Sequence, residues 1–181
     1  MNLTFRKTLS ADIERIMELV AAAQAWFRSR GIDQWQDGYP TPEVFEEDIR
    51  RGNSYVGVCE GRVVLTGCLS FDGEPTYRAI FEGQWLNEAP YGVVHRLVVD
   101  PALKGRGLAG EFLRFCFAES VRRGVENIRI DTHRQNLPMQ RLLVRHGFHP
   151  CGRIVLESGA DRDAYQFVIP RTQPAWADSN P

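Results

Sequence analysis

Val94-His-Arg-Leu-Val-Val-Asp-Pro-Ala-Leu-Lys-Gly-Arg-Gly-Leu-Ala-Gly110 decides how this chain is read. The segment Gly92–Val99 is almost wholly apolar, as expected of a strand covered on both faces. A glycine-rich loop comes next and opens a helix predicted over Leu108–Arg123. Main-chain N–H groups in the first turn of a helix have no internal partner, and the helix dipole is positive there. Glycines let such a backbone come close to an anion, and Lys104 and Arg106 add charge. The pattern calls for a phosphate-bearing ligand held by main chain.

Two ligands compete for that loop. Gly105-Arg-Gly107-Leu-Ala-Gly110 spells GxGxxG, the dinucleotide fingerprint, and Asp131 stands about where a ribose-binding acid would. Against this, Asp100–Lys104, with Pro101 inside it, separates the strand from the first glycine, whereas a dinucleotide loop turns almost at once. The motif also lies past mid-chain, and the remaining residues are too few to complete a doubly wound domain. Two cations within the loop suit a more highly charged diphosphate. A nicotinamide- or flavin-dependent oxidoreductase stays as an alternative.

Working outward, Asn127–Thr132 reads as a strand and Leu137–His146 as a helix closed by Gly147. Cys151–Leu156 and Ala164–Ile169 read as strands around a Ser158-Gly159 turn. Upstream, Tyr55–Cys59 and Val63–Phe71 form a hairpin around Glu60-Gly61-Arg62, and Tyr77–Trp85 is ambiguous between a strand end and a helical turn. Leu3–Lys7 is a first strand. Ser10 stands as N-cap, with Asp12 in the first turn, of a helix whose Ile13, Ile16, Met17, Val20, Gln24 and Phe27 fall at helical spacing. Gly31 ends it. Asp33–Pro40 is a turn-rich loop that still carries Trp35 and Tyr39, and a short helix runs from Pro42 to about Arg51. The order predicts an α/β (α+β) fold, a mixed central β-sheet with helices on both faces. Residues 1–170 read as one domain and 171–181 as a flexible polar tail.

Bulk properties narrow the class. The chain has 181 residues, 43% hydrophobic, enough to bury a core without staples. A net charge of −1 with both signs interspersed argues against a nucleic-acid partner, which needs a basic face. Cys59, Cys68, Cys116 and Cys151 show no CxxC spacing, so neither a metal site nor a redox motif is indicated, and a reducing compartment fits. No apolar run approaches the roughly 18 residues of a membrane helix, and the first residues do not resemble a signal peptide. Cytoplasmic location is the expectation.

The loop resembles motif A of the GNAT (general N-acetyltransferase) superfamily, [Q/R]-x-x-G-x-[G/A], standing here as Lys104-Gly-Arg-Gly107-Leu-Ala109 with Lys in place of Gln or Arg. Asn136-Leu-Pro-Met-Gln-Arg-Leu-Leu-Val-Arg-His-Gly147-Phe148 resembles motif B, and strand 128–132 fills the gap between them. The resemblance covers Leu3 to Ile169. Gln34-Trp35, Gly38-Tyr39-Pro40, His95-Arg96 and Asp131-Thr132-His133 look like a recurring bacterial subgroup. The resemblance implies the GNAT fold and transfer of an acetyl group from acetyl-CoA to an amine of a small molecule or peptide. It implies that Lys104, Gly105, Arg106, Gly107, Leu108, Ala109 and Gly110 hold the coenzyme A pyrophosphate. It also implies that Leu97, Val98 and Val99 bind the pantetheine arm and acetyl carbonyl; Thr132, His133 and Asn136 are candidate cofactor contacts, with contact to the acceptor or a loop-stabilising role as the alternatives for His133. Superfamily members are often homodimers, and no metal is implied. The family's usual general acid is a motif B tyrosine, and that position here is Leu143. A non-catalytic coenzyme A-binding sensor therefore stands as a second reading.

A thioester is already activated, so the protein must position it, stabilise an oxyanion and deprotonate the acceptor. His95 is the candidate base, sharing a strand face with Leu97 and Val99, with a reference pKa suited to the task. The plainer alternative is a hydrogen-bonded core histidine. Arg96, on the other face, reads as a structural ion pair. Asn136 has N-capping as its alternative role. Trp35, Tyr39 and Trp85 are acceptor-site candidates, with packing beneath the loop as the alternative. Asp33, Asp37, Glu47 and Asp48 are either attractors of a cationic amine or a solvated face. Cys151 has no evident base partner and is not read as a nucleophile.

Overall fold

The computed structural model describes residues 2–170. The elements are β1 (Leu3–Lys7), α1 (Ile13–Arg28), α2 (Pro42–Arg50), β2 (Ser54–Cys59), β3 (Arg62–Ser70), β4 (Tyr91–Val99), α3 (Leu108–Arg122), β5 (Asn127–Thr132), α4 (Leu137–Arg145), β6 (His149–Val155) and β7 (Asp161–Val168). The seven strands form one sheet in the order β1-β2-β3-β4-β5-β7-β6. It is mixed, as expected: β4 runs parallel to β5, pairing Tyr91–Val93 with Asn127–Arg129, while β1–β2, β2–β3, β5–β7 and β6–β7 are antiparallel. The tail expected over 171–181 lies outside the described residues.

Two compact units divide the chain. Among the described residues, the first comprises residues 2–69 and His95–Phe112; the second comprises Ser70–Val94 and residues 113–170. Both β4 and α3 run through the two.

In the first unit, α1 buries Ile16, Leu19, Val20 and Phe27, the apolar face its spacing announced. Ile16, Leu19 and Val20 join Phe45 of α2 with Val56, Val63 and Val98 of the sheet in one core cluster. Pro42 stands at the start of α2, where a missing N–H costs nothing. Ser10 is not the cap of α1. A 3₁₀ turn over Ser10–Asp12 precedes that helix, and the Asp12 carboxylate takes the Leu9 N–H at 2.8 Å and both Arg6 terminal nitrogens at 2.6 and 2.9 Å. A carboxylate accepts charge-assisted bonds that a hydroxyl cannot match. Gly67 of β3 is required by close approach, since a Cβ there would lie 2.4 Å from the Phe112 ring.

In the second unit, Phe117, Phe148 and Phe167 cluster with ring centroids 4.4 to 5.9 Å apart, Phe117 stacked on Phe167. The ambiguous Tyr77–Trp85 region holds the end of a 3₁₀ turn, Pro75–Arg78, and a single bridge from Phe81 to Arg153. The last hairpin is longer than the sequence suggests, because β6 starts at His149 and β7 at Asp161. A register shift between Pro150 and Gly152 breaks the alternation that would have revealed the earlier start.

Candidate functional site

The glycine loop leaves β4 through a locked corner. Asp100 is buried, its carboxylate takes the Ala102 N–H at 2.9 Å, and Arg15 forms an ion pair with it. A 3₁₀ turn spans Pro101–Leu103. Gly105 (φ +80°) and Gly107 (φ +85°) are left-handed, and an added Cβ at either would meet nothing within 4 Å. Glycine is needed there for conformation, and the space above the loop is open.

The N–H groups of Gly105, Gly107, Leu108, Ala109 and Gly110 find no acceptor among the described residues. The first bond of α3 runs from Glu111 N–H to Gly107 O, 3.1 Å. Residues 104–107 are exposed. A run of orphan donors at the positive end of a 15-residue helix is an anion cradle.

Cations surround it. Lys104 Nζ lies 4.8 Å from the centre of the Trp26 ring, and the Arg30 guanidinium lies 4.3 Å from the same ring. Partial burial, and then the neighbouring Arg30 charge, pull the Lys104 pKa below its usual value. Lys104, Arg30 and Arg106 have no carboxylate partner among the described residues. Elsewhere in the first unit, Arg6, Arg15, Arg50, Arg51, Arg62 and Arg96 all pair with acids. Nothing in the sequence places Trp26 and Arg30 at the loop; their proximity is tertiary.

Along β4, His95, Leu97 and Val99 are half-buried and Val98 is buried. Arg96 is left-handed at φ +52°, which interrupts the strand alternation on which a shared face for His95, Leu97 and Val99 depends. Its guanidinium meets Asp48 Oδ2 through Nε at 2.9 Å and Nη2 at 2.5 Å, and donates through Nη1 to the Tyr39 hydroxyl at 2.7 Å. The structural ion pair expected of Arg96 is there, with Asp48 as the partner the sequence does not name.

Trp35 and Tyr39 come together in the first unit, their rings edge to face at 6.4 Å, and Trp35 meets Phe27 at 5.8 Å. Gln24 of α1 donates to Tyr39 O at 3.0 Å. Tyr39 keeps 36% of its surface exposed. Burial of its ring, only partly offset by Arg96, raises the phenol pKa. Trp85, expected beside the acceptor, belongs instead to the core of the second unit. It is 7% exposed, and its indole N–H is bound to Tyr77 O at 2.9 Å, which leaves it no polar edge to present. Of the four acids near the aromatic loop, Asp48 is committed to Arg96 and Glu47 to Arg50 and Arg51, which pull the Glu47 pKa down to about 2. That favours the structural over the amine-attracting role for both.

The remaining candidates lie in the second unit. Thr132 ends β5, buried, opposite Asp163. His133 Nδ1 accepts the Gln135 N–H at 3.1 Å. Asn136 caps α4, its Oδ1 taking the Met139 N–H at 3.3 Å. Leu143 is fully buried. The hydroxyl of buried Tyr77 donates to Asp131 at 2.7 Å, a carboxylate–phenol pair that sequence spacing does not signal. Cys151 is buried and burial raises its thiol pKa, so it is not an activated nucleophile. Among the described residues no cluster of His, Cys, Asp or Glu could hold a metal, and no helix is long and apolar enough to cross a membrane.

A mixed sheet with one parallel β-α-β unit, whose helix opens on N–H groups that find no acceptor among the described residues, is an α/β frame with room for an anion at that helix start. The chain belongs to the acetyltransferase (GNAT) family, whose sequence model matches residues 19–148, and is an acyltransferase. It is similar to a GNAT-family acetyltransferase of Streptococcus agalactiae, at 32% identity and TM-score 0.86 over 93% of this chain and 96% of that one. A GNAT-family acetyltransferase of Listeria monocytogenes shares its fold at 21% identity and TM-score 0.72, over 92% and 95% of the two chains. So does Salmonella typhimurium yncA, solved with its cofactor acetyl-CoA, at 19% identity and TM-score 0.67 over 96% and 98%. No curated protein sequence matches.

Proposed function

We propose that this chain transfers an acetyl group from acetyl-CoA to an amine of a small molecule or peptide, by direct transfer in a ternary complex. The observation that carries the reading is the set of N–H groups of Gly105, Gly107, Leu108, Ala109 and Gly110, which find no acceptor among the described residues, flanked by Lys104, Arg106 and Arg30, which have no carboxylate partner there. Such a cradle suits a diphosphate better than a single carboxylate, because several donors and several cations converge.

In this reading the loop main chain holds the pyrophosphate. Leu97, Val98 and Val99 line the pantetheine arm, and a strand amide among them donates to the developing oxyanion. Thr132, His133 and Asn136 complete the cofactor contacts. His95 removes the proton that the acceptor nitrogen must lose. Trp35 and Tyr39 form the acceptor wall. The expected setting is a bacterial cytoplasm, with residues 1–170 acting as one domain, alone or as a homodimer.

Leu143 favours one competing reading. It fills the position of the family's acid with a fully buried aliphatic side chain, so a coenzyme A-binding sensor without turnover fits that residue equally well. Calorimetry with acetyl-CoA, CoA and NAD tests the cradle: binding of the first two and not the third is expected, and the reverse overturns the proposal. Acetyl-CoA-dependent release of free thiol across a panel of primary amines then separates enzyme from sensor.

A further inference from the structure

Arg96 stands in the middle of β4 with φ +52°. An L-residue with a Cβ avoids that region, and such outliers persist only where surroundings hold them. The surroundings here are explicit. Asp48 of α2 receives two of the guanidinium's N–H bonds, and Tyr39 of the aromatic loop receives a third. Arg96 and Asp48 side chains are each 11% exposed, so water competes little for either. Tyr39 is tied back to α1 through Gln24 and to Trp35 through its ring. A left-handed residue inside a strand re-aims the peptide groups after it. Those are Leu97, Val98 and Val99.

We propose that Asp48, Arg96 and Tyr39 form a clamp that holds the left-handed break in β4 and thereby aims the donor-binding main chain of Leu97–Val99. Arg96 is a positioning residue in this account, acting through the backbone and touching neither substrate. Tyr39 makes the aromatic loop one jaw of the clamp, so the seating of that loop and the aim of the strand are one event. The inference rests on the proposed acetyl-CoA site.

Alanine and glycine at position 96 separate this role from simple packing. Both lose the guanidinium, but only glycine keeps φ near +52° without strain. Because either change strands Asp48 as a buried charge, each is made with Asp48→Asn, and thermal melting confirms folding. Calorimetric titration with acetyl-CoA is the readout, and it needs no acceptor. With alanine the strand relaxes toward extended geometry, the binding-competent fraction falls, and the dissociation constant rises about tenfold. With glycine it stays within about threefold of the parent chain. Tyr39→Phe, which removes one strut and no charge, weakens binding by a few-fold in the same direction. Equal affinities for the alanine and glycine forms, or a weaker glycine form, overturn the clamp while leaving the cofactor site intact. Failure of the parent chain to bind acetyl-CoA removes the site itself.

Discussion

Replacing Gly107 probes the site most directly. Its φ of +85° is open to glycine and costly for any residue with a Cβ, by about 1–2 kcal/mol. No atom lies within 4 Å of an added Cβ, so Gly107→Ala carries that conformational cost and no clash. If the loop keeps its shape, the cost appears as a fall in melting temperature of about 2–8 °C for a chain this size. If the loop relaxes, the five N–H groups disperse and coenzyme A affinity drops about tenfold. Gly107→Glu adds a carboxylate on the open side of the cradle. At about 5 Å from a phosphate oxygen and an effective dielectric of about 20, the repulsion is about 3 kcal/mol per unit charge. Together the effects predict an affinity loss of about a thousandfold or more. Isothermal titration of each variant with CoA, beside a thermal melt, reads both quantities. Parent-like affinity of the glutamate variant would refute the placement of the diphosphate. An alanine variant that binds and melts like the parent would refute the strain argument alone.

The same contacts set four further outcomes. His95→Ala is expected to lower turnover by about a hundredfold, with a smaller change in acetyl-CoA affinity, read from steady-state thiol release. A turnover matching the parent across pH excludes His95 from the proton path. Gly67→Ala should destabilise the fold by about 1–3 kcal/mol in urea, because the new methyl meets the Phe112 ring at 2.4 Å; unchanged stability means the ring moves freely. Burial pushes the Cys68 thiol up to about 12, so an unfolded chain ionises it first. The resulting stabilisation is complete below about pH 9 and is lost as pH rises toward about 12. Cys68→Ala should flatten that alkaline decline in a pH series of melts; an unaltered slope assigns the decline to other groups. Arg30→Gln, removing one unpaired cation beside Lys104, should weaken CoA binding and its salt dependence together, and equal salt slopes would place Arg30 outside the site.

Much of the molecule is legible in the chain before folding. The apolar β4, the glycine loop, the start of α3 and the 3.6-residue stripe of α1 are local patterns, and local patterns survive in sequence. The β6–β7 hairpin reads shorter in sequence than it is in the molecule, because the irregularity near Gly152 hides alternation. Ser10 qualifies as a cap by residue type, but it lies in a 3₁₀ turn ahead of α1, and the Asp12 carboxylate that follows is bonded to Arg6 and the Leu9 N–H. Trp85 points toward an acceptor only on the view that an aromatic in a polar segment needs a purpose. Its purpose is to fill the second unit's core and satisfy its own indole N–H.

What the sequence determines by itself is the cradle: glycines at 105 and 107 and a helix starting at Leu108 need no distant partner to expose their N–H groups. What only the tertiary structure decides is who stands around it. The pairing of Arg96 with Asp48 and Tyr39, the left-handed turn those bonds hold, and the arrival of Trp26 and Arg30 beside Lys104 join residues far apart in the chain. Their energies depend on burial and mutual distance, and neither quantity exists until the chain has folded.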